Sequence, residues 1–327
     1  MPFHSPLRYP GGKRRLTHLV AELIDKNRLR DIEYVEPYAG GASMALDLLF
    51  NEYASAIHIN DLSRPVFAFW KTLLEENERL CCRIDATPVT VKEWHRQHEV
   101  YRQQEHSDLF DLGFAAFFLN RTNRSGIISG RMIGGMGQTG RWKLDARFNK
   151  VDLMRRIKKI GRYRTRISVS QEDAAAFIDE TSARLGQNAL FLIDPPYIDR
   201  GKDLYLNNYG LDDHKMLEQQ ISALDRYWIV TYDYDAAIRH QLHQGRTCLS
   251  FSLSYSAQQR RRGREAMFLS DSIEIPSTWR DANGISVGPR GGRQPLEARV
   301  ETTNGRLDQP TSPMRVASSR SMQGQVS

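Results

Sequence analysis

The stretch Leu190-Phe191-Leu192-Ile193-Asp194-Pro195-Pro196-Tyr197 joins a short apolar strand to a rigid polar turn. Four residues that favour β structure run directly into an acid, two prolines and a tyrosine. Proline lacks the N–H that a ladder hydrogen bond needs, so the strand must end at Asp194. The turn therefore follows the carboxyl end of a strand, which is the edge of an open α/β sheet where ligands bind.

This turn presents two hydrogen-bond acceptors beside an aromatic ring. Because the proline rings fix φ, the Asp194 carboxylate, the Pro195 carbonyl and the Tyr197 ring keep one arrangement without a ligand. Two acceptors match one amino group that carries two hydrogens, and an aromatic face matches a stacked planar base. An ordinary strand-to-loop turn with a half-buried tyrosine is the alternative for this stretch taken alone.

The composition limits the classes of protein to which the chain can belong. Its 327 residues suggest one large domain or two ordinary ones, and no apolar run approaches the length of a membrane span. The N-terminal residues do not resemble a secretory signal, and the cysteines (Cys81, Cys82 and Cys248) form no metal pattern, so we expect a cytoplasmic protein without a metal site. A net charge of +7 makes a polyanion such as DNA a plausible partner.

Two glycine-containing turns precede predicted helices in the first 50 residues. Pro10-Gly11-Gly12 forms a loop beside Lys13, and apolar residues then recur at helical spacing. A strand beginning at Ile32 breaks at Glu36-Pro37 into a turn with Gly40, and Ser43 is predicted to cap the next helix. The second turn lacks the spacing of a dinucleotide fingerprint or a P-loop. A second strand, 56–59, ends before Asp61, where an acid can accept hydrogen bonds from ribose hydroxyls.

Residues 65–159 interrupt the alternation of strands and helices. Helical spacing dominates at first, and a polar segment rich in Gly, Asn and Arg follows from Asn120. Arginines can bind phosphates or guanine, and asparagine can read adenine, so this insertion is predicted to contact DNA. The α/β pattern then resumes with strands over 166–170 and 228–232 and an antiparallel pair, 249–253 and 266–269, joined by a basic loop, 258–264. Beyond about residue 275 the composition predicts a disordered tail.

The order of these motifs resembles that of the Dam-like (D12 class) DNA adenine-specific N(6)-methyltransferases. The resemblance spans about residues 6–272 and implies an α/β, Rossmann-like class I S-adenosylmethionine-dependent methyltransferase fold with a mainly helical DNA-recognition insertion. It implies a catalytic domain of residues 1–64 and 160–272, a recognition insertion of residues 65–159 and a disordered tail of residues 273–327. In the glycine turn, the order Gly41-Ala42 reverses the family's usual small residue followed by glycine.

The same resemblance assigns roles to individual residues. It implies S-adenosyl-L-methionine as the cofactor and double-stranded DNA as the partner of a monomer or weak dimer. The implied catalytic residues are Asp194, Pro195, Pro196 and Tyr197. The implied cofactor-binding residues are Tyr9, Gly11, Gly12, Lys13, Glu36, Pro37, Gly40, Asp61 and Asp173. The implied DNA-binding residues are Asn120, Arg121, Asn123, Arg124, Ser125, Arg131, Arg141 and Arg147.

Two other functions remain open at this level. One is methylation of a different amine, on cytosine or on adenine in RNA, although Asp before Pro-Pro favours adenine by analogy. The other is a catalytically silent DNA-binding relative, against which the intact Lys13, Asp61 and Asp194 argue. The sequence does not show which DNA site is recognised or whether a restriction endonuclease accompanies the protein.

Overall fold

Five parallel strands form the part of the sheet that ends at the predicted catalytic turn. In a computed structural model, which describes residues 3–9, 13–196, 210–233, 242–255, 261–279 and 285–287, these strands lie in the order β3, β2, β1, β4, β5. Their bounds are β1 Ile32–Glu36, β2 Ala54–Asn60, β3 Ile167–Ser170, β4 Ala189–Ile193 and β5 Tyr227–Asp233. The strand order reverses between β1 and β4, and ligands bind at such a switch point.

Three antiparallel strands extend the sheet beyond β5. Strand β7 (Arg261–Leu269) lies between β5 and β6 (Cys248–Tyr255), and β8 (Ile285–Val287) pairs with the other side of β6. The described residues therefore form a mixed sheet of eight strands in the order β3-β2-β1-β4-β5-β7-β6-β8. This arrangement confirms the predicted Rossmann-like class I methyltransferase fold.

Strand β4 shows why both faces of the sheet are covered. Its side chains alternate between two hydrophobic clusters: Leu190 and Leu192 pack into one, Phe191 and Ile193 into the other. A strand that is buried on both faces reads as a continuous apolar run, as this one does. The helices that flank the sheet outside the insertion are α1 Thr17–Lys26, α2 Ser43–Phe50, α8 Ala174–Arg184 and α9 Leu211–Ala223.

Five helices lie between β2 and β3, in the segment predicted to be a helical insertion. They are α3 Arg64–Glu75, α4 Asn77–Ala86, α5 Val91–Arg102, α6 Leu109–Thr122 and α7 Lys150–Arg162. Three of them begin at polar residues whose side chains accept backbone N–H groups of the first turn, namely Thr90, Asp108 and Asn149. Between α6 and α7 the chain forms the irregular, glycine-rich segment that the sequence predicted.

Two local predictions were wrong. Ser43 does not cap α2, because it is already the first helical residue and Ala42, in the left-handed conformation, occupies the N-cap position. The predicted basic loop 258–264 is shorter than expected, because β7 begins at Arg261 and pairs with Tyr255 of β6. Three consecutive arginines (260–262) followed by Gly263 and Arg264 carry no apolar alternation, so the sequence pattern did not separate strand from loop there.

The predicted disordered tail begins too early in the chain. Ile273 and Trp279 are buried, each 3% exposed, and the backbone of Glu274 forms two hydrogen bonds with the Asn27 side chain at the end of α1. The Trp279 indole donates to Glu22 on the same helix. Together with β8, these contacts attach residues 273–279 and 285–287 to the methyltransferase sheet. Residues 288–327 lie outside the described residues.

No helix in the described part of the chain is both long and apolar enough to cross a membrane.

Candidate active site

The catalytic turn lies where the sequence predicted it, directly after β4. Asp194, Pro195 and Pro196 follow Ile193 at the carboxyl edge of the sheet, and both prolines are buried. The Asp194 side chain remains 24% exposed. Tyr197 lies outside the described residues, as do Gly11 and Gly12 of the N-terminal loop.

Asp194 is held by groups from two other parts of the chain. Its Oδ1 accepts a hydrogen bond of 2.8 Å from the hydroxyl of Thr231 on the neighbouring strand β5. The same Oδ1 lies 3.2 Å from Nζ of Lys13, the cation of the N-terminal motif. Both contacts made by described residues use Oδ1, so Oδ2 can accept a hydrogen bond from a ligand. The next residue in the chain, Pro195, supplies a backbone carbonyl as the second acceptor of the turn.

Lys13 also contacts a second acid, Glu265 on β7. Its Nζ lies 3.1 Å from Glu265 Oε1, and the Glu265 side chain is fully buried. We refer to Lys13, Asp194 and Glu265 as the Lys13 cluster. Thr231 and Glu265 were not predicted as site residues. The sequence offers one signal for Glu265, an acid directly before the apolar residues 266–269, but no spacing connects it to Lys13.

Burial and neighbouring groups shift the pKa of Asp194 in opposite directions. Burial raises the pKa of Asp194, because the ionised form loses hydration, while the Lys13 ammonium and the Thr231 hydroxyl act in the other direction. Loss of either partner would therefore favour the protonated carboxyl. A protonated Asp194 would lose much of its capacity to accept hydrogen bonds from an amine.

A buried histidine supports the far side of the turn. His214 on α9 is 0% exposed, and burial lowers its pKa, while the Asp213 charge and the Pro196 carbonyl act in the opposite direction. The imidazole therefore lies near the Pro196 end of the turn.

The glycine turn and the N-terminal motif meet at Gly40. This residue has a φ of +47°, and a Cβ built there would lie 2.6 Å from the Tyr9 ring, so only glycine lets that ring pack on the turn. The Gly40 carbonyl accepts a hydrogen bond of 2.9 Å from the buried indole of Trp70 on α3. The structure thus brings Tyr9, Gly40 and Lys13 to the same edge of the sheet as Asp194.

Asp61 stabilises this turn through its side chain. Its two oxygens accept the backbone N–H groups of Gly40 and Ser63, each at 2.9 Å. Burial raises the Asp61 pKa to about 6, although both hydrogen bonds act to lower it. Each carboxylate oxygen has a further lone pair, so Asp61 can also accept hydrogen bonds from a diol.

Glu36 lies beneath the turn. It is 6% exposed, and its Oε1 accepts hydrogen bonds from the Tyr34 hydroxyl at 3.0 Å and from the Ala45 N–H at 3.2 Å. Ala45 belongs to the first turn of α2, so Glu36 supplies the acceptor that the N-cap Ala42 lacks. Burial raises the Glu36 pKa to about 8. Its contact with a cofactor stays a prediction.

The other two predicted cofactor residues have identifiable structural contacts. The Pro37 carbonyl accepts a hydrogen bond of 3.0 Å from the Asn60 side chain, which ties β1 to the end of β2. Asp173 is exposed and is the N-cap of α8, where its Oδ1 accepts the N–H of Ala175 at 2.9 Å. A cofactor-binding role for Asp173 stays a prediction.

Two predicted DNA-binding asparagines are internal structural residues. Asn120 is 1% exposed; its Oδ1 accepts the Arg8 N–H at 2.7 Å, and its Nδ2 donates to the carbonyls of Arg8 at 2.8 Å and Gly126 at 2.7 Å. Asn123 is 0% exposed, accepts from the Trp94 indole and donates to the carbonyls of Ile127 and Ile128. The prediction that these amides contact DNA is therefore wrong, because buried backbone groups already use them.

Gly126 allows the N-terminal segment to pack closely on the turn after α6. Its φ is +81°, and a Cβ there would lie 2.2 Å from the Arg8 carbonyl oxygen. The N-terminal segment therefore passes directly over the turn that follows α6.

The predicted DNA-binding arginines differ in exposure. Arg121 donates to the Arg147 carbonyl, and burial together with neighbouring arginines lowers its pKa to about 9. Ser125 is half-buried with a φ of +58°. Arg124, Arg131, Arg141 and Arg147 are exposed. Trp142, which the sequence analysis did not select, is 57% exposed, and Arg141 and Arg147 lie 5.3 and 5.8 Å from its ring centroid.

Comparison with solved structures finds methyltransferases of very low sequence identity. An S-adenosylmethionine-dependent methyltransferase from Agrobacterium tumefaciens is 10% identical over 78% of this chain and 61% of its own, with a TM-score of 0.37. An rRNA methyltransferase from Streptomyces viridochromogenes is 13% identical over 80% of this chain and 85% of its own, with a TM-score of 0.33. Neither likeness bears on the substrate. Among curated proteins, no sequence matches significantly.

The sequence itself matches a protein family over most of its length. A family model described as D12 class N6 adenine-specific DNA methyltransferase matches residues 9–242. That range begins at Tyr9 and includes the glycine turn, the helical insertion and the turn at Asp194. The chain belongs to the D12 class of N6 adenine-specific DNA methyltransferases.

Proposed function

We propose that Asp194 and the Pro195 carbonyl hold the N6 amine of the target adenine during methylation by this S-adenosylmethionine-dependent enzyme. The observation that carries the proposal is the double occupancy of Asp194 Oδ1 by Thr231 and Lys13. With Oδ1 engaged, Oδ2 can accept from a second donor. The amine then donates one hydrogen bond to Oδ2 and the other to the Pro195 carbonyl.

Hydrogen bonding of this kind addresses the weak nucleophilicity of the amine. The lone pair of an aromatic amine is delocalised into the ring, and two acceptors favour a tetrahedral nitrogen with a localised pair. The rate then comes from orientation and electrostatics, with no covalent enzyme intermediate. The nitrogen must lose one proton as it gains the methyl group. Asp194 can take that proton because burial raises its pKa, and its partly exposed side chain can release it to water.

The residues around the glycine turn fit an adenosyl cofactor. The fit rests on the Tyr9 ring against the Gly40 backbone and on an Asp61 carboxylate with lone pairs left for ribose hydroxyls. In this proposal Tyr9, Lys13, Gly40 and Asp61 hold the cofactor, together with the predicted Gly11 and Gly12. S-adenosylmethionine, when bound, supplies an electrophilic sulfonium methyl group. The role of the protein residues is to hold the target amine at Asp194, directed toward that methyl group.

The exposed arginines between α6 and α7 are proposed to bind the DNA backbone. Arg124, Arg131, Arg141 and Arg147 supply the charge that phosphates require. Trp142 adds an exposed ring near two guanidinium groups, a combination suited to stacking on bases or sugars. The helical insertion, residues 65–159, would thus recognise DNA while the sheet domain carries out the reaction. Tyr197 is proposed to stack on the flipped adenine.

The family match favours adenine in DNA over cytosine or RNA as the substrate. A catalytically silent relative would not need the charges of Lys13 and Asp194 to be maintained at 3.2 Å inside the fold. We further propose a monomer or weak dimer that acts where its DNA is, in the cytoplasm. Light scattering of the purified protein tests the oligomeric state.

Substitution of the acceptor tests the central claim. Asp194→Asn retains the shape but replaces one oxygen with a donor, so single-turnover methyl transfer to unmethylated DNA should fall at least a hundredfold, while DNA binding changes little. The matched control is Asp212→Asn on the exposed first turn of α9, which should transfer methyl at the parental rate. Parental transfer by Asp194→Asn would rule out the two-acceptor arrangement. Absence of N6-methyladenine from DNA exposed to the parental protein would rule out the activity.

A further inference from the structure

A loop in the segment proposed to meet DNA carries an exposed methionine near its centre. Met136 is 63% exposed, and Trp142 in the same loop is also exposed. The loop follows the buried Met132 and ends at the buried Leu144. We refer to residues 133–144 as the Met136 loop. Its ends are thus anchored in the fold, while its apolar side chains at the tip face solvent.

One glutamine side chain connects the two arms of this loop. The Gln138 Nε2 donates to the carbonyls of Ile133 at 2.9 Å and Gly135 at 2.7 Å. Its Oε1 accepts the N–H of Leu144 at 2.8 Å. The amide therefore uses both of its hydrogens and its oxygen on the backbone of the loop. The backbone at Met136 is held in one position without a ligand, as a recognition element requires.

The residues around Met136 indicate which part of DNA it can contact. Arg131 and Arg141, which precede and follow it in the chain, are exposed and are proposed to bind phosphates. Phosphates border the grooves, so an apolar side chain between two such arginines can reach the edges of the bases. The apolar group that base pairs present in the major groove is the C5-methyl of thymine. Contact between this methyl and the methionine side chain is favourable because both leave water.

We propose that Met136 is a specificity-determining residue that recognises a thymine of the DNA site through its C5-methyl group, and that Gln138 is the positioning residue that holds the Met136 loop for this contact. The inference rests on the proposed function, in which this segment binds DNA. The contact lies away from the reacting atoms, so it exists equally in the bound state and in the transition state. Its loss should weaken DNA binding and leave the rate at saturating DNA unchanged.

The test uses DNA that lacks the contacted group. Two pools of random-sequence duplexes offer every short site, one pool with thymidine and the other with deoxyuridine, which has no C5-methyl. At DNA concentrations below saturation, the parental protein should methylate the thymidine pool at least about fourfold faster, as expected for one buried methyl group. Met136→Ala should lower this rate ratio on the order of fourfold, through slower transfer to the thymidine pool. Met216→Ala on α9 removes a methionine that is 62% exposed and, as the matched control, should keep the parental ratio.

Gln138→Met tests the positioning role, because it removes the amide hydrogen bonds with little change in volume. It should lower the ratio as Met136→Ala does, while calorimetry shows parental affinity for S-adenosylmethionine. If Gln138→Met does not fold, Met136→Ala decides the matter, since truncating so exposed a side chain costs little stability. Equal ratios for Met136→Ala and the parent, or a parental ratio of one, would overturn the inference. A parental protein that methylates neither pool would instead overturn the proposed function.

Discussion

Thr231→Val isolates the hydrogen bond that restrains Asp194. Valine has nearly the same shape as threonine but no hydroxyl, and Thr231 is 0% exposed, so water cannot easily replace the lost donor. The lost bond measures 2.8 Å and has a carboxylate as its acceptor. Such bonds contribute about 1.5–3 kcal/mol. Thr231→Val should therefore destabilise the ionised Asp194 carboxylate by about that amount and raise its pKa further, because the Thr231 hydroxyl acts to lower it.

The sign of the effect on activity follows from the role of the ionised carboxylate. Methyl transfer should fall as the pH drops through the Asp194 pKa, and in Thr231→Val that fall should begin at a higher pH. The assay is single-turnover transfer of labelled methyl groups to unmethylated DNA, measured from about pH 5 to 9. Thr231→Ser retains the hydroxyl and should follow the parental profile. Coincident acidic limbs for Thr231→Val and the parent would refute the assigned role of Thr231.

Three other predictions concern the tail, the glycine turn and the ribose acid. A chain ending at Pro276 loses the buried Trp279. Its free energy of unfolding, measured in urea, should be about 3–5 kcal/mol lower than that of a chain ending at Gly292, where the compact unit ends. Equal urea midpoints for the two chains would show that Trp279 does not contribute. Ala42→Gly should stabilise the fold by about 0.5–1 kcal/mol, because φ is +44° there, and a lower melting temperature would contradict this. As the pH drops below about 6, Asp61 becomes protonated, and the affinity for S-adenosylmethionine should decrease. The Asp61→Asn variant should bind the cofactor weakly at every pH. Calorimetry that shows the same pH dependence for both proteins would remove Asp61 from the site.

The sequence predicted the fold well where local patterns determine it. Strand β4 and its turn follow from an apolar run that meets two prolines, and the position of Asp61 follows from a second strand that ends just before it. Asn120 and Asn123 were misread because polar residues in a glycine-rich segment look solvated. Their hydrogen-bond partners include the Arg8 backbone, which is distant in sequence, and the Trp94 indole, which lies on another helix. Thr231 reaches Asp194, and Glu265 reaches Lys13, only through the pairing of β4, β5 and β7, which no local pattern specifies.

The Asn120 amide pairs with the Arg8 backbone as a neighbouring β-strand would, accepting its N–H and donating to its carbonyl. Arg8 adjoins the cofactor motif, and Asn120 also holds Gly126 in the segment proposed to meet DNA. In the proposed function, Asn120 therefore connects the cofactor site to the DNA-binding segment, and we expect thermodynamic linkage between the two ligands. DNA should tighten cofactor binding by the same factor by which the cofactor tightens DNA binding, on the order of fivefold or more. Asn120→Ala should reduce both factors together, and titrations in which only one of them changed would show that the connection lies elsewhere.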